Sequence, residues 1–571
     1  MLRLAPLFCI LALGSASTLG CGSAPGRQTT PELATPVEIA AAAEAPLDIH
    51  LGESMWQLDN EHCQTILLPH QALPRNPGAC LNVDLHGGVS AALLREVDLI
   101  AAQVPVLLSI EPGIVFPDVT MRHVVALSLG GGRYDAAPLP PRRLFPAVRY
   151  LATNRATVMP DRDWLEADEV LLGLTLMDED SLTAIRAVAD RVIALRAYAS
   201  VAGRQEELAR LTNLRDVRIG NAPEQLEALP TTVTHFVIRG ANDATLAVLP
   251  RFVHLRSLAL DAANVETLRP LSGLGLMHLS LRQARLGENA LLELSDLPRL
   301  THLDLSRAQL GENARVELDF PHLTHLDLSG TSNVDDRIAR FLAAMTSLEV
   351  LHLWRAEIDD TRFLAGLSNL HTLSLSGAGI TDEDVAVLSG LSSLRSLSLR
   401  GTRVTEAALQ ALPPVEDLHI GNTRIANLCA HVARLRSLRS LNLSDSGILD
   451  AGLSCISQLA ELETLDLGGT YISNASIGEI ARLPELRDLS LMTTMLSDAG
   501  LAELSRLETL RVLDVSGAPL TDASVEPLLA MELQDVGLDG TQLSESAQER
   551  IRSALSSEVQ TEHRIQPTQP H

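Results

Sequence analysis

The feature that most limits what this chain can fold into is a repeated unit, seen whole in the stretch Leu370–Val404, LHTLSLSGAGITDEDVAVLSGLSSLRSLSLRGTRV. It opens L-x-x-L-x-L, so Leu373 and Leu375 alternate with polar residues at the period of a strand. After a small-residue turn to Ile380 the period changes, and Val385, Leu388 and Leu391 fall at helical spacing. One unit is therefore a short strand followed by a short helix. Neither can bury its apolar face alone, so each unit must stack on copies of itself, and the chain grows as a solenoid.

Further openings stand at Leu255, Leu276, Leu300, Leu323, Leu348, Leu394, Val415, Leu438, Leu462, Leu486, Leu510 and Leu533, at intervals of 21 to 25 residues. Upstream the pattern is degenerate, but LNVDLHG, VPVLLSI, VVALSLG, VRYLATN, VLLGLTL, VIALRAY, LRDVRIG and VTHFVIR each have strand character at a similar interval. A length of 571 residues would ordinarily suggest several domains, yet a repeat overrides that prior, because one solenoid lengthens simply by adding units. Only 3% of the residues are aromatic against 46% hydrophobic, which fits a core of stacked Leu, Ile and Val. The net charge of −26 argues against a general nucleic-acid partner, since phosphate backbones require a basic face. All 45 basic residues are arginine.

The first residues, MLRLAPLFCILALGSASTLGCGSAPG, combine an early Arg3, a short apolar run and then small residues, the pattern of a secretory signal. The run is too short for a membrane span. Thr18-Leu19-Gly20-Cys21 resembles a bacterial lipobox, although Leu19 stands two places before Cys21 where that pattern prefers three. The resemblance implies lipidation of Cys21 as the first mature residue. Residues 22–50 are rich in Ala, Pro and Thr without periodicity and suit a flexible tether.

With Cys9 and Cys21 set aside, an exported chain retains Cys63, Cys80, Cys429 and Cys455 as disulfide candidates. We expect Cys63 and Cys80 to be bonded, closing a loop that ties down an N-terminal cap. Cys429 and Cys455 stand nine and seven places before the next openings, Leu438 and Leu462. That unequal rank weighs against a bridge between them and leaves their state open.

The full consensus, L-x-x-L-x-L-x-x-[T/A/S]-x-[I/L/V], resembles the leucine-rich repeat family over roughly four-fifths of the chain. The resemblance implies an α/β horseshoe with a parallel sheet on the concave face and helices on the convex face, in a bacterial secreted or lipoprotein setting. One departure is that Thr331, Thr402, Thr423, Thr470, Thr494 and Thr541 occupy the ninth place, where the family commonly has asparagine. The expected organisation is a signal at 1–21, a tether at 22–50, an N-terminal cap at 51–100, degenerate repeats at 101–254, regular repeats at 255–545, and a cap helix with a disordered tail at 546–571. Hydroxyl-carboxylate pairs such as Thr381-Asp382, Ser497-Asp498 and Thr521-Asp522 mark helix starts, the hydroxyl as N-cap and the acid in the first turn.

Leucines at the fourth and sixth places point inward, so the third, fifth and seventh places face out from the sheet. The third place holds His278, His302 and His325 in consecutive repeats, and the fifth holds Asp304, Asp327 and His352. Such a ladder could bind zinc, although a solvated polar face also uses histidine; we expect no metal or other cofactor. A Ser-His-Asp relay through Ser306 or Ser329 is weaker still, because an open sheet offers no oxyanion pocket. Trp354 stands at the seventh place, where the other regular repeats carry Asp, Arg, Ser, Gly or Met. With Arg355 and His352 beside it, it is either a partner-contact anchor or a local cover near Phe363.

The expected function is a non-catalytic scaffold whose concave face holds another protein or a glycan at the cell envelope, as a monomer on the outer membrane of a Gram-negative bacterium through its lipid alone. A metal-dependent hydrolase and a ubiquitin-ligase-adaptor-like substrate reader are the alternatives, the latter at odds with an export signal.

Overall fold

The computed structural model describes the strands and helical pieces between 63 and 220, then 223–310, 320–331, 336–358 and 360–561. The expectations placed on residues 1–50, Cys21 included, lie outside the described residues.

Among the described residues, 22 strands join one sheet, and every pairing is parallel between chain-successive repeats, from Cys63–Leu68 to Asp535–Gly537. Each of the eight degenerate upstream motifs supplies one of these strands, beginning with Cys80–Leu85 and ending with His235–Arg239. Among the described residues the register slips only between Leu172 and Gly173. In the regular repeats the strand shrinks to three residues, buried in the middle and half-buried on either side, as in His302–Asp304. The buried middle leucines, among them Leu279, Leu303 and Leu326, stack into a single apolar cluster running from Leu94 to Ile551. This is why three residues suffice: a strand that short gains its stability from the repeat on each side.

The opposite side is built of short α and 3-10 pieces, such as Asp382–Val385 continuing into Ala386–Gly390, and ends in the helix Glu545–Thr561. In place of a family-type asparagine ladder, six repeats carry threonines, all buried except the half-buried Thr541. The hydroxyls of Thr402, Thr423, Thr470, Thr494 and Thr541 donate to carbonyls three residues back in their own turns, while that of Thr331 crosses to Leu305 of the preceding repeat.

The helix-start carboxylates do something the pairing within one repeat does not suggest. Asp382, Asp450, Asp498 and Asp522 each accept both the amide and the hydroxyl of the residue opening the next repeat's helical segment, respectively Thr405, Ser473, Thr521 and Ser544. Asn474 makes an uncharged version of this link to Ser497, its side-chain oxygen accepting the Ser497 amide and its NH2 donating to the Ser497 hydroxyl. The aspartates staple repeat to repeat, with charge-assisted bonds to groups that would otherwise be orphaned at a helix start.

The cysteines correct the reading of rank. Cys429 and Cys455 are bonded, with Cα atoms 5.4 Å apart, across the junction between the Val415 and Leu438 repeats, where none of these carboxylate staples stands. Rank misled because Asp450–Leu453 is helical, rising about 1.5 Å per residue, while 425–428 is not. Unequal residue counts therefore cover equal distances. Cys63 and Cys80 are directly paired across neighbouring strands in the backbone register, and their side chains lie outside the described residues.

Candidate functional site

Register brings the histidines together as spacing suggested: His278 pairs with His302 and His302 with His325. Their rings stack at 4.1 and 4.0 Å between centroids, each pair tilted by 12°. The Nδ1 atoms of His302 and His325 are hydrogen-bonded to the hydroxyls of Thr301 and Thr324, at 2.9 and 2.8 Å, which fixes each ring's orientation. Parallel rings hold their nitrogens side by side instead of converging on one point about 2.1 Å away, as a tetrahedral zinc would need. Among the described residues no group of three or more His, Cys, Asp or Glu has a metal-holding arrangement.

Asp304 and Asp327 sit beside the ladder, and His352 is the register partner of Asp327. Their first duty is local. One carboxylate oxygen of each accepts the amide two residues on, from Ser306 at 2.8 Å and from Ser329 at 2.7 Å. Asn442, Asp466 and Asp514 do the same at the same place of later repeats. The fifth-place acids thus close the strand end, a side-chain turn mimic that sequence spacing alone disguises as a ligand row. The second oxygen of Asp304 accepts from the Ser280 hydroxyl at 3.1 Å, and the Ser329 hydroxyl accepts from the Trp354 amide at 3.3 Å.

Burial raises the Asp327 carboxyl above the ordinary carboxylate range, opposed by the Ser329 hydrogen bonds and helped by the nearby charge of Asp304. Asp261 is raised in the same way, by burial and then by Asp304. A further acid was not singled out by sequence at all: Asp216, the register partner of His235, is pushed up to about 6 by burial, with Arg218 and Arg196 opposing. The signal was available in principle, since Asp216 holds the third place of a degenerate strand.

Trp354 is half-buried on the rim of the sheet. Its recorded ring contacts are guanidinium groups: Arg355 lies 4.7 Å from the ring centroid, and Arg307, two repeats earlier, lies 5.6 Å away. Phe363 is buried in the core and makes no ring contact with it among the described residues. Arg307 was missed by sequence because it stands 47 residues away, at a place that only the stack aligns with the indole. A second unread feature is apolar. Leu449, Tyr471, Met492 and Met495 are exposed in three consecutive repeats, at 53%, 62%, 43% and 55%.

The Leucine Rich repeat family matches residues 321–343, 366–389 and 434–457. These three stretches are leucine-rich repeats. Among solved structures, an internalin of Listeria monocytogenes (23% identity, TM-score 0.37) is matched over 58% of this chain and 94% of its own. A leucine-rich repeat protein of Leptospira interrogans (21% identity, TM-score 0.44) is matched over 63% and 97%, and the mouse RP105/MD-1 complex (15% identity, TM-score 0.45) over 82% and 87%. No curated protein matches the chain.

Proposed function

We propose that this leucine-rich repeat protein is a non-catalytic scaffold that holds a partner protein on the outward face of its sheet, displayed at a bacterial cell envelope by a lipid on Cys21. The observation that carries the binding reading is Trp354: a half-buried indole on the sheet rim, at a place where the neighbouring repeats have small or polar residues. Large rigid rings with few rotors dominate binding hot spots. The Cys429–Cys455 bridge supports an oxidising compartment and hence export. A lipid plus the segment 22–50 as a tether would keep the scaffold near a membrane without inserting it.

Cross-linking pull-down from the native envelope tests the reading, with Trp354→Ala as the discriminating variant. We expect a captured protein whose affinity falls by about 30-fold, roughly 2 kcal/mol, with an unchanged melting temperature. Unchanged capture would place the binding surface elsewhere. Palmitate labelling that persists in Cys21→Ala would remove the lipoprotein part.

A further inference from the structure

The turn closing each strand has one residue with positive φ at the eighth place of the repeat, and along the regular repeats glycine and non-glycine alternate there irregularly. Arg307 (φ 54°) and Arg355 (φ 52°) are two of the non-glycines, held in a conformation that costs an L-residue stability. The repeats after them have Gly330 and Gly377, and room there is required: a Cβ on Gly330 would meet the Arg307 Cγ at 3.0 Å, and one on Gly377 the Arg355 Cγ at 2.9 Å. Each arginine thus lies across the glycine of the next repeat. Arg400 shows what such a reaching arginine normally finds, since two repeats on it donates to the Ser444 hydroxyl and the Asp445 carboxylate, both at 3.2 Å. Arg307 and Arg355 find the Trp354 ring instead, and among the described residues neither has a carboxylate within ion-pair reach. In a chain with 71 acids against 45 arginines, two neighbouring guanidinium groups without an acid are conspicuous.

We infer that Arg307, Trp354 and Arg355 form a site for the carboxylates of an acidic segment, rich in Asp or Glu, on the partner protein. This rests on the reading that the sheet face binds a partner, and it gives that partner a chemistry. A ring held against a guanidinium plane fixes the plane while leaving its edge N–H groups free to point outward, the geometry that grips a carboxylate with two parallel hydrogen bonds. Trp354 is then chiefly a platform that sets the arginines. A partner bearing multiply charged phosphate or sulfate fits less well, because Asp304 and Asp327 line the same repeats and the whole chain is strongly acidic. Isolated carboxylates, each neutralised by one arginine, tolerate that field better.

The probe is a fluorescein-labelled octaglutamate, followed by anisotropy against the full mature chain at low salt, with octalysine, a phosphoserine peptide and heparin as competitors. We expect saturable octaglutamate binding that Arg307→Gly/Arg355→Gly weakens at least tenfold, while the melting temperature stays level or rises because the positive-φ strain is gone. Arg307→Lys/Arg355→Lys should recover only part of the affinity, since an ammonium cannot make the bidentate contact. Absence of octaglutamate binding, equal binding by the glycine variant, or heparin or the phosphopeptide binding far more tightly would each overturn the inference. A captured envelope partner lost with Trp354→Ala but retained with the glycine pair would sink the carboxylate site and leave the scaffold reading standing.

Discussion

Carboxylates on the two sides of this solenoid experience opposite fates. On the helical side Asp450 and Asp498 are held below the ordinary carboxylate range, because amide and hydroxyl donors of the next repeat outweigh partial burial. On the sheet side Asp216, Asp327, Asp417 and Asp488 are raised, because burial there outweighs the few donors or cations that face them. The same residue type therefore staples one side and strains the other. A binding face is expected to carry groups that are not fully satisfied until a partner arrives, and a structural seam is expected to be closed.

The comparison can be broken first at the helical seam. Cys429–Cys455 closes 26 residues of sequence separation where the staple is missing, and in the chain-entropy model reduction should cost about 3 to 4 kcal/mol. Because solenoid stability is a sum of local and nearest-neighbour terms, hydrogen exchange should rise first in the Val415 and Leu438 repeats. Uniform fraying, or no loss of protection there, would show that the bridge is incidental.

Next comes the sheet side, where the sign of the pH dependence is diagnostic. A folded pKa of about 6 for Asp216 lies above the unfolded value of 3.8, so the folded state prefers the protonated acid. Its contribution is intact below about pH 4 and is lost as pH rises through about 6, by about 3 kcal/mol at the upper limit. Asp216→Asn should therefore raise the urea midpoint at pH 8 and leave it nearly unchanged at pH 4. For Asp450 the sign reverses: its folded pKa is depressed, so its contribution is present above the unfolded value and fades as pH falls through the folded one. Asp450→Ala leaves the Ser473 amide and the hydroxyls of Ser473 and Ser476 without their acceptor, Ser476 being only 2% exposed. It should cost about 2 kcal/mol at neutral pH. An equal cost at pH 2.5 would mean that the charge is irrelevant.

This asymmetry also explains what the sequence could and could not tell. The sheet and its inward leucines were legible because strand period and repeat interval are properties of one unit copied many times. The outward histidine row was legible for the same reason, since His278, His302 and His325 share a place in the repeat. Contacts between unlike places were not. Asp382 looked like a partner for its own helix and instead serves Thr405; Asp304 looked like a ligand and instead closes its own turn onto Ser306. Arg307 and Trp354 differ in place and are separated by two repeats, and no periodicity links them. The Cys429–Cys455 bridge was hidden because rank along the chain stops tracking distance once one repeat's connection is helical and its neighbour's is not.

The smallest effect tests whether the sheet rim stores strain that a partner site has to justify. Thr493 occupies the eighth place with φ 52°, a conformation costly for a β-branched residue, and its hydroxyl offsets part of that cost by donating to the Met492 carbonyl at 2.7 Å. Its methyl also leans on the next repeat, where a Cβ on Gly517 would come within 2.6 Å of it. Asn422 holds the same place at φ 52° in an earlier repeat, so asparagine is compatible with this turn. Thr493→Gly relieves the strain but gives back part of the gain through the greater freedom of glycine in the unfolded chain. Thr493→Asn relieves much of the strain without that loss. We expect Thr493→Asn to stabilise by about 1 kcal/mol and Thr493→Gly by about half as much, read from urea midpoints at neutral pH. The order matters more than the size. If both variants destabilise, the threonine is making a contact at the rim that outweighs its backbone cost, and the sheet edge near Met492 and Met495 becomes a more compelling surface than the one around Trp354.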